Sequence, residues 1–192
     1  MTDLDLCYLP ATDAIKQFKA KTLSPVELLD ALIRRAEEVE PVINAFTYRH
    51  FDEAMDKAKK AEAKYASGGR TRALEGLPIG IKDESFIKGK PTSSGSLIMK
   101  DFVADRTSVG NERIMRAGGI VHARTATPEF SAAFCTQSRL WGATRNPWNP
   151  EFTPGGSSGG TAASLAAGTS TIASGSDIAG SIRNPAGCCG LV

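Results

Sequence analysis

Cysteine and histidine are scarce in the sequence, which has four cysteines and two histidines among 192 residues. No two cysteines form a CxxC pair, and only His50 and His122 could join them as ligands. The spacing therefore supports neither a zinc site nor a disulfide framework. We expect no metal and cysteines that stay reduced, as in a cytoplasmic protein. The four are Cys7, Cys135, Cys188 and Cys189.

Strong net charge and long apolar runs are also missing. The formal net charge of +2 is too small to indicate a nucleic-acid or membrane partner, and no apolar run approaches the length of a membrane span. The first ten residues, MTDLDLCYLP, carry acids where a secretory signal has Lys or Arg. What is present is ordinary: 41% hydrophobic and 23% charged residues, enough for one domain with a core.

The sequence predicts a mainly helical scaffold over residues 1–70, to which we assign no chemistry. A capping box at 24–27, with Pro25 at the first helical position, starts a helix whose apolar residues recur at helical spacing. Pro41 is predicted to end that helix. Further helices are predicted over 12–20 and 51–66, and a strand over 44–48.

Small and apolar residues alternate from Gly76 in the segment GLPIGIKD, which predicts a buried strand with Lys82 at its end. The plainer interpretation is a solvated surface lysine. A lysine among apolar neighbours would instead have a lowered pKa, because burial disfavours its charge, and could serve as a neutral base. Farther on, a helix is predicted over 108–117 and a strand over 119–123, on which His122 is packed rather than catalytic.

Segment 155–187, GGSSGGTAASLAAGTSTIASGSDIAGSIRNPAG, is the most informative part of the chain. Two serine-bearing glycine turns, the first at 155–160 and the second at 175–181, bracket small residues that predict a short helix over 161–167 and a buried strand over 169–174. The lack of bulky side chains lets the backbone approach itself and a ligand closely. Hydroxyls and bare N–H groups together supply what acyl transfer requires, a nucleophile and donors for an oxyanion.

Four interpretations compete for this segment. A flexible linker conflicts with the alanine-rich and apolar residues that follow the first turn. A phosphate-binding loop matches the spacing from Gly155 to Gly160 but lacks the lysine before Thr161. A G-x-S-x-G nucleophile elbow fits 155–159, yet a Ser-His-Asp triad has no good histidine candidate. The fourth interpretation is a serine hydrolase whose base is lysine.

Three blocks make the fourth interpretation specific, because together they resemble the amidase signature family of serine hydrolases. The blocks are GIKD at 80–83, PGGSSGG at 154–160 and GSDIAGSIRNPA at 175–186, in the family's order. The distance between Ser157 and Ser181, 181 − 157 = 24 positions, also fits. Three ordered motifs are far more specific than any one alone.

The resemblance implies an α/β fold, with a mixed β-sheet core covered by helices, and a Ser–cis-Ser–Lys triad. Ser181 would be the nucleophile, Ser157 the bridging serine after a cis peptide bond, and Lys82 the base. No metal or organic cofactor is implied. The implied oxyanion hole consists of the backbone N–H groups of Ile178, Ala179, Gly180 and Ser181, and the implied structural support is the pair Asp177 and Arg183.

The sequence departs from the family in two respects. Ala179 stands where glycine is usual, which would add strain only if that position needed a positive φ. The family's domain also continues well beyond this length. We therefore expect residues 1–192 to be the N-terminal part of a single amidase domain, with 76–192 as its catalytic core segment. Made alone, this part is expected to be unstable or self-associating and to turn over substrate poorly.

The predicted reaction is hydrolysis of a linear, non-peptide carboxamide to an acid and ammonia or an amine, with esters as further substrates. One alternative is the amidase subunit of a glutamine-dependent amidotransferase that feeds ammonia to charged tRNA and requires partner subunits. Another is a non-catalytic binding or assembly module. The expected partner is a small-molecule amide, with no direct nucleic-acid or membrane partner and with a homodimer left open.

Overall fold

A computed structural model describes residues 2–192, in which helices surround a small mixed sheet. The helices are α1 (Asp3–Cys7), α2 (Ala11–Ala20), α3 (Pro25–Ile43), α4 (Phe51–Ala66), α5 (Val109–Arg116), α6 (Gly159–Ala166) and α7 (Arg183–Cys189). The strands are β1 (Phe46–Arg49), β2 (Pro78–Lys82), β3 (Ile120–Thr125), β4 (Gln137–Ser138), β5 (Gly142–Ala143) and β6 (Ile172–Ala173). Short 3₁₀ turns occur at Leu97–Met99 and Glu129–Ser131.

Helix α3 begins as predicted but ends later than predicted. The Ser24 hydroxyl accepts the N–H of Glu27 at 3.1 Å, and the Glu27 carboxylate accepts the N–H of Ser24 at 2.8 Å. The predicted end at Pro41 is wrong, because α3 continues past it. Proline removes its own N–H and crowds the preceding turn, but the N–H of Asn44 still reaches the carbonyl of Glu40 at 3.0 Å. The helix ends at Asn44, whose left-handed φ of 50° redirects the chain.

The main sheet has the strand order β1-β3-β2-β6, with β1 antiparallel to β3 and the other neighbours parallel. The predicted mixed sheet covered by helices is therefore confirmed. Every residue of β2 and β3 is buried, as expected for central strands with both faces covered. The register pairs Lys82 with Thr125, so both central strands end at the same edge.

The strand predicted over 169–174 is much shorter than expected, because only Ile172–Ala173 pairs with β2. Thr169 lies just after α6 and instead caps the end of that helix. Its N–H and its hydroxyl both donate to the Ser164 carbonyl, at 2.8 and 3.1 Å, so its donors satisfy the helix terminus rather than the sheet.

Two helices were not predicted. Helix α1 begins with a capping box between Thr2 and Asp5, a signal that is present in the sequence. Helix α7 begins two residues after the second glycine-serine turn and extends past the end of the third block, and its run RNPAGCC has low helix propensity. Its burial of Pro185 and Cys189, where Cys189 packs with Ala162 and Ala166 of α6, accounts for its formation by tertiary contact.

The core lies on both sides of the sheet and between the N-terminal helices. Phe18, Leu28 and Leu32 are fully or almost fully buried between α2 and α3, and Ile79 and Ile81 are buried on the sheet. Each such side chain contributes about 1.5–3 kcal/mol on burial. Among residues 2–192, no helix is both long enough and apolar enough to cross a bilayer.

A close approach between α6 and the sheet positions the glycine-serine segment. The N–H of Gly160 donates to the carbonyl of Ala126 at 3.1 Å, and a Cβ on Gly160 would lie only 2.3 Å from the Ala126 nitrogen. Glycine is required here because no side chain fits between the helix and the chain that leaves β3. The first turn of α6, and Ser157 just before it, consequently lies next to the strand ends where Lys82 is located.

Candidate active site

Lys82 is the last residue of β2 and its side chain is only 1% exposed. Its Nζ donates to the Ser157 hydroxyl at 2.8 Å and to the Ser176 hydroxyl at 3.2 Å. Side chains from all three blocks singled out in the sequence therefore meet at the Lys82 Nζ atom. The plainer interpretation of Lys82, a solvated surface lysine, is wrong, because the strand that carries it is covered on both faces.

Burial lowers the pKa of Lys82, because the charged ammonium is desolvated, and the nearby Glu84 carboxylate opposes this effect. Glu84 Oε2 lies 3.2 Å from the Lys82 Nζ and also accepts the hydroxyl of Ser131. Burial alone would raise the pKa of Glu84, but hydrogen bonds from Ser131 and Ser176, together with Lys82, outweigh it and lower that pKa. The buried Lys82 therefore lies beside an ionised carboxylate, and the Glu84 side chain is itself 23% exposed.

The first glycine turn holds Ser157 through backbone contacts. The peptide bond between Gly156 and Ser157 is cis, as the resemblance implies. The N–H of Gly156 donates to Asn184 Oδ1 at 3.0 Å, and the N–H of Ser158 donates to the carbonyl of Ser181 at 3.0 Å. The first turn is thus hydrogen-bonded directly to the segment that contains the predicted nucleophile, and Ser157 itself is 1% exposed.

The second glycine turn is organised by the Asp177 carboxylate. It accepts the N–H groups of Gly180, Ile182 and Arg183 at 2.6, 3.0 and 3.1 Å. The Arg183 guanidinium adds two contacts to it, at 3.0 and 2.9 Å, and holds the pKa of Asp177 well below its usual range. Asp177 and Arg183 thus form the expected pair, and their contacts fix the backbone on both sides of Ser181.

The four predicted oxyanion donors differ in their availability. The N–H of Gly180 is already bonded to Asp177. Within residues 2–192, no acceptor takes the N–H of Ile178, Ala179 or Ser181. Ala179 is also not among the described residues with positive φ, so alanine in place of glycine carries no left-handed strain there.

Ser181 lines the same cleft as Ser157, and Lys82 lies behind Ser157 through its hydrogen bond to that hydroxyl, but Ser181 is not hydrogen-bonded to Ser157 in the described part of the chain. The cleft has a volume of about 380 Å³. Phe130 and Phe134 are more than half exposed at this cleft and Ile178 is fully exposed, which gives it an apolar rim around polar groups. Its polar lining is Glu84, Ser131, Ser157, Ser176 and Ser181.

The two histidines lie outside this cleft. His122 is on β3, in edge contact with Phe46 and stacked on Phe51. Its Nε2 lies 2.9 Å from the carbonyl of Thr169, and burial lowers its pKa to about 4. Burial likewise lowers the pKa of His50 to about 4. The sequence predicted that His122 is packed rather than catalytic, and its burial in the structure agrees with the first part of that prediction.

Sequence reasoning missed several residues that hold the site. Ser176 lies in the third block and Glu84 follows the first block by one residue, so their proximity to the blocks was the available signal. Asp83, the last residue of the first block, forms a fully buried pair with Arg124 at 3.5 Å, and Arg124 gave no sequence signal. Arg124 donates to the carbonyl of Lys82 at 3.2 Å and so anchors the backbone beneath the predicted base.

Similarity to known proteins extends over most of the chain. The model of the amidase family matches residues 27–192. The chain is 40% identical over 177 residues to one component of glutamyl-tRNA(Gln) amidotransferase from Synechococcus sp. (strain CC9605), covering 92% of this chain and 36% of that protein. The chain thus spans little more than a third of that relative's length.

Two solved structures also superpose on most of this chain. Fatty acid amide hydrolase superposes with a TM-score of 0.91 at 30% identity, covering 97% of this chain and 33% of that chain. A bacterial aryl acylamidase of the amidase signature (AS) family superposes with a TM-score of 0.88 at 32% identity, covering 93% of this chain and 37% of that chain.

Proposed function

The chain belongs to the amidase family, and from that membership we propose that it carries the triad of a serine amidase that hydrolyses a linear carboxamide. Ser181 is the nucleophile, Ser157 the proton relay and Lys82 the base. One observation supports this most strongly: the buried Lys82 Nζ lies 2.8 Å from the Ser157 hydroxyl, beside the cleft that Ser181 also lines. Burial lowers the pKa of Lys82, and a lysine whose amine can accept a proton needs no histidine as base.

The reaction begins with proton transfer towards Lys82. Ser157 gives its hydroxyl proton to the neutral amine and takes one from Ser181, whose oxygen attacks the amide carbonyl. The developing oxyanion accepts from the free N–H groups of the second turn, where donors fixed in advance stabilise it without reorganisation. As the C–N bond breaks, the proton returns through Ser157 to the leaving nitrogen. A water molecule then repeats the sequence and releases the acid from the acyl-enzyme.

In the structure the hydroxyls of Ser157 and Ser181 are not hydrogen-bonded to each other. Catalytic hydrogen bonds often tighten only when substrate is bound. In this proposal, rotation of the Ser181 hydroxyl towards Ser157 accompanies substrate binding. The contact between the N–H of Ser158 and the carbonyl of Ser181, at 3.0 Å, already keeps the two turns in register.

A fluorophosphonate probe tests this assignment in the full-length gene product. Such probes react with an activated serine, so mass spectrometry should find the label on Ser181. Labelling should be lost in Ser181→Ala and strongly reduced in Lys82→Ala. Absence of label on Ser181 in folded protein would contradict the proposal and favour a non-catalytic binding or assembly module.

A second candidate is the amidase subunit of a glutamine-dependent amidotransferase. The 40% identity to a component of glutamyl-tRNA(Gln) amidotransferase favours it. This candidate predicts glutaminase activity only in a complex with partner subunits. The first candidate predicts turnover of small amides by the protein alone, with a small-molecule amide as its partner in the cytoplasm. Assaying a panel of amides and glutamine, with and without co-purified proteins, separates the two.

A further inference from the structure

The Lys82 ammonium has three acceptors around it, one for each of its protons. They are the hydroxyls of Ser157 at 2.8 Å and Ser176 at 3.2 Å, and Glu84 Oε2 at 3.2 Å. An ammonium group has three donors and no lone pair, so this set satisfies the charged form completely. A hydroxyl alone would satisfy the amine equally well, and the proposed reaction does not by itself require a carboxylate at this position.

The neutral amine has two N–H donors and one lone pair. When Glu84 and Ser176 accept these two N–H groups, the lone pair points at the third neighbour, Ser157. That is the direction in which a base must face to remove the Ser157 proton, and correct orientation is a large part of proton-transfer catalysis. The same contacts remain in place after the transfer, when the ammonium has formed.

Resting on the proposed function, we infer that Glu84 is a positioning residue: it orients the Lys82 amine towards Ser157 and stabilises the ammonium formed when Ser157 gives up its proton. The hydroxyl of Ser131 also donates to the Glu84 oxygen that contacts Lys82. This second contact holds the Glu84 carboxylate in place, so the carboxylate stays next to the Lys82 nitrogen rather than turning into solvent.

The charge of Glu84 has a specific consequence for the pH dependence. Two carboxylates face Lys82, those of Glu84 and Asp177. Asp177 is neutralised by its paired Arg183 and by backbone N–H groups, whereas Glu84 contacts Lys82 directly. Glu84 therefore opposes the effect of burial on the pKa of Lys82 and makes the lysine a stronger base than burial alone would leave it.

The test is the rate at which a fluorophosphonate labels Ser181 in the full-length gene product, measured as a function of pH. Glu84→Gln keeps the shape and an acceptor oxygen but removes the charge. Its acid limb should move to lower pH, because an opposite charge within about 4–6 Å shifts an ionisable group by roughly 1–3 pH units in proteins. Its plateau rate should fall about 10-fold, part of the roughly 10²–10⁴-fold that a positioned base contributes.

Three matched variants separate charge from structure. Glu84→Asp keeps the charge on a shorter stem, so its midpoint should stay nearer the wild-type value while its plateau falls. Ser176→Ala removes an acceptor without changing charge, so its rate should fall with little movement of the midpoint. Glu112→Gln alters an exposed carboxylate paired with Arg116 and should behave as wild type. Thermal unfolding establishes that each variant is folded.

The outcomes distinguish this inference from the function on which it depends. A labelled wild type whose midpoint is unchanged in folded Glu84→Gln overturns the role of Glu84 alone. A Glu84→Asp midpoint as low as that of Glu84→Gln also overturns it, because charge would then not be the cause. A wild-type protein that is not labelled at Ser181 overturns the proposed function and, with it, this inference.

Discussion

Substituting Gly160 by alanine should damage both stability and activity, although the change adds a single methyl group. A Cβ at this position would lie 2.3 Å from the nitrogen of Ala126 and 2.6 Å from its oxygen. Ordinary contact begins near 3.4 Å, so α6 must withdraw from the sheet by 3.4 − 2.3 = 1.1 Å. The atoms in the way belong to the backbone and cannot rotate aside.

The structure sets the size of both effects. Overpacking of this kind costs about 1–3 kcal/mol, offset in part by the roughly 0.8–1 kcal/mol that alanine gains over glycine in a helix. Ser157 lies two residues before the start of α6 and would move with the helix away from Lys82. A misplacement of about 1 Å can cost roughly 100-fold in rate. We therefore expect a modest loss of stability with a far larger loss of turnover.

Gly110 provides the matched control for this substitution. It lies inside α5, and nothing is within 4 Å of a Cβ built on it. Gly110→Ala should therefore be neutral or stabilise the protein by about 0.5–1 kcal/mol, with unchanged turnover. Urea unfolding and hydrolysis of a small amide by both variants provide the measurement. Wild-type stability and turnover in Gly160→Ala would refute the argument that α6 sets the position of Ser157.

Four further predictions concern the chemistry and the pH dependence. Ser181→Ala should abolish amide hydrolysis. Ser157→Ala and Lys82→Ala should lower it by several powers of ten, because members of a triad act as a unit. Near-normal turnover in Ser181→Ala would contradict the assignment. The rate should rise from acidic to mildly alkaline pH, because burial lowers the pKa of Lys82 and the neutral amine is the base. A flat pH profile, measured with chemistry rate-limiting, would count against a lysine base. Replacing His50 and His122 together by glutamine should leave the chemical step intact, whereas a large fall in kcat in the folded double variant would point to a histidine triad. The free energy of unfolding should fall as the pH drops from about 6.5 to about 4, because burial lowers the pKa of both histidines to about 4 and the unfolded chain binds the protons first. Urea unfolding at pH 7 and pH 5 measures this fall, and the double variant should show a smaller pH dependence.

Local signals in the sequence were sufficient for several elements. The capping box at Ser24 and Glu27 predicted the start of α3, because it is formed by residues three positions apart. The alternation that leads into Lys82 predicted a buried strand with that lysine at its end, which the structure confirms. Family membership was equally accessible, because three ordered blocks lie within the chain itself.

Elsewhere local rules failed, in one case because a tertiary contact outweighed them. Pro41 was predicted to end α3, yet the helix continues to Ile43, because the N–H of Asn44 still reaches the carbonyl of Glu40. Helix α7 forms from residues of low helix propensity because Cys189 is buried against α6. Propensity describes an isolated segment, and burial of even one face can exceed it.

The sequence alone determined the family, the central buried strand and the residue types available for chemistry, since each depends on order and spacing along the chain. Only the tertiary structure decided which groups surround the Lys82 nitrogen. Ser157 and Ser176 reach it from two distant segments of the chain, and Glu84 folds back onto it from two positions along its own segment. Their meeting depends on how closely α6 and the two glycine turns approach the sheet. Distances of about 3 Å between residues as much as 94 positions apart follow from packing, which no local pattern encodes.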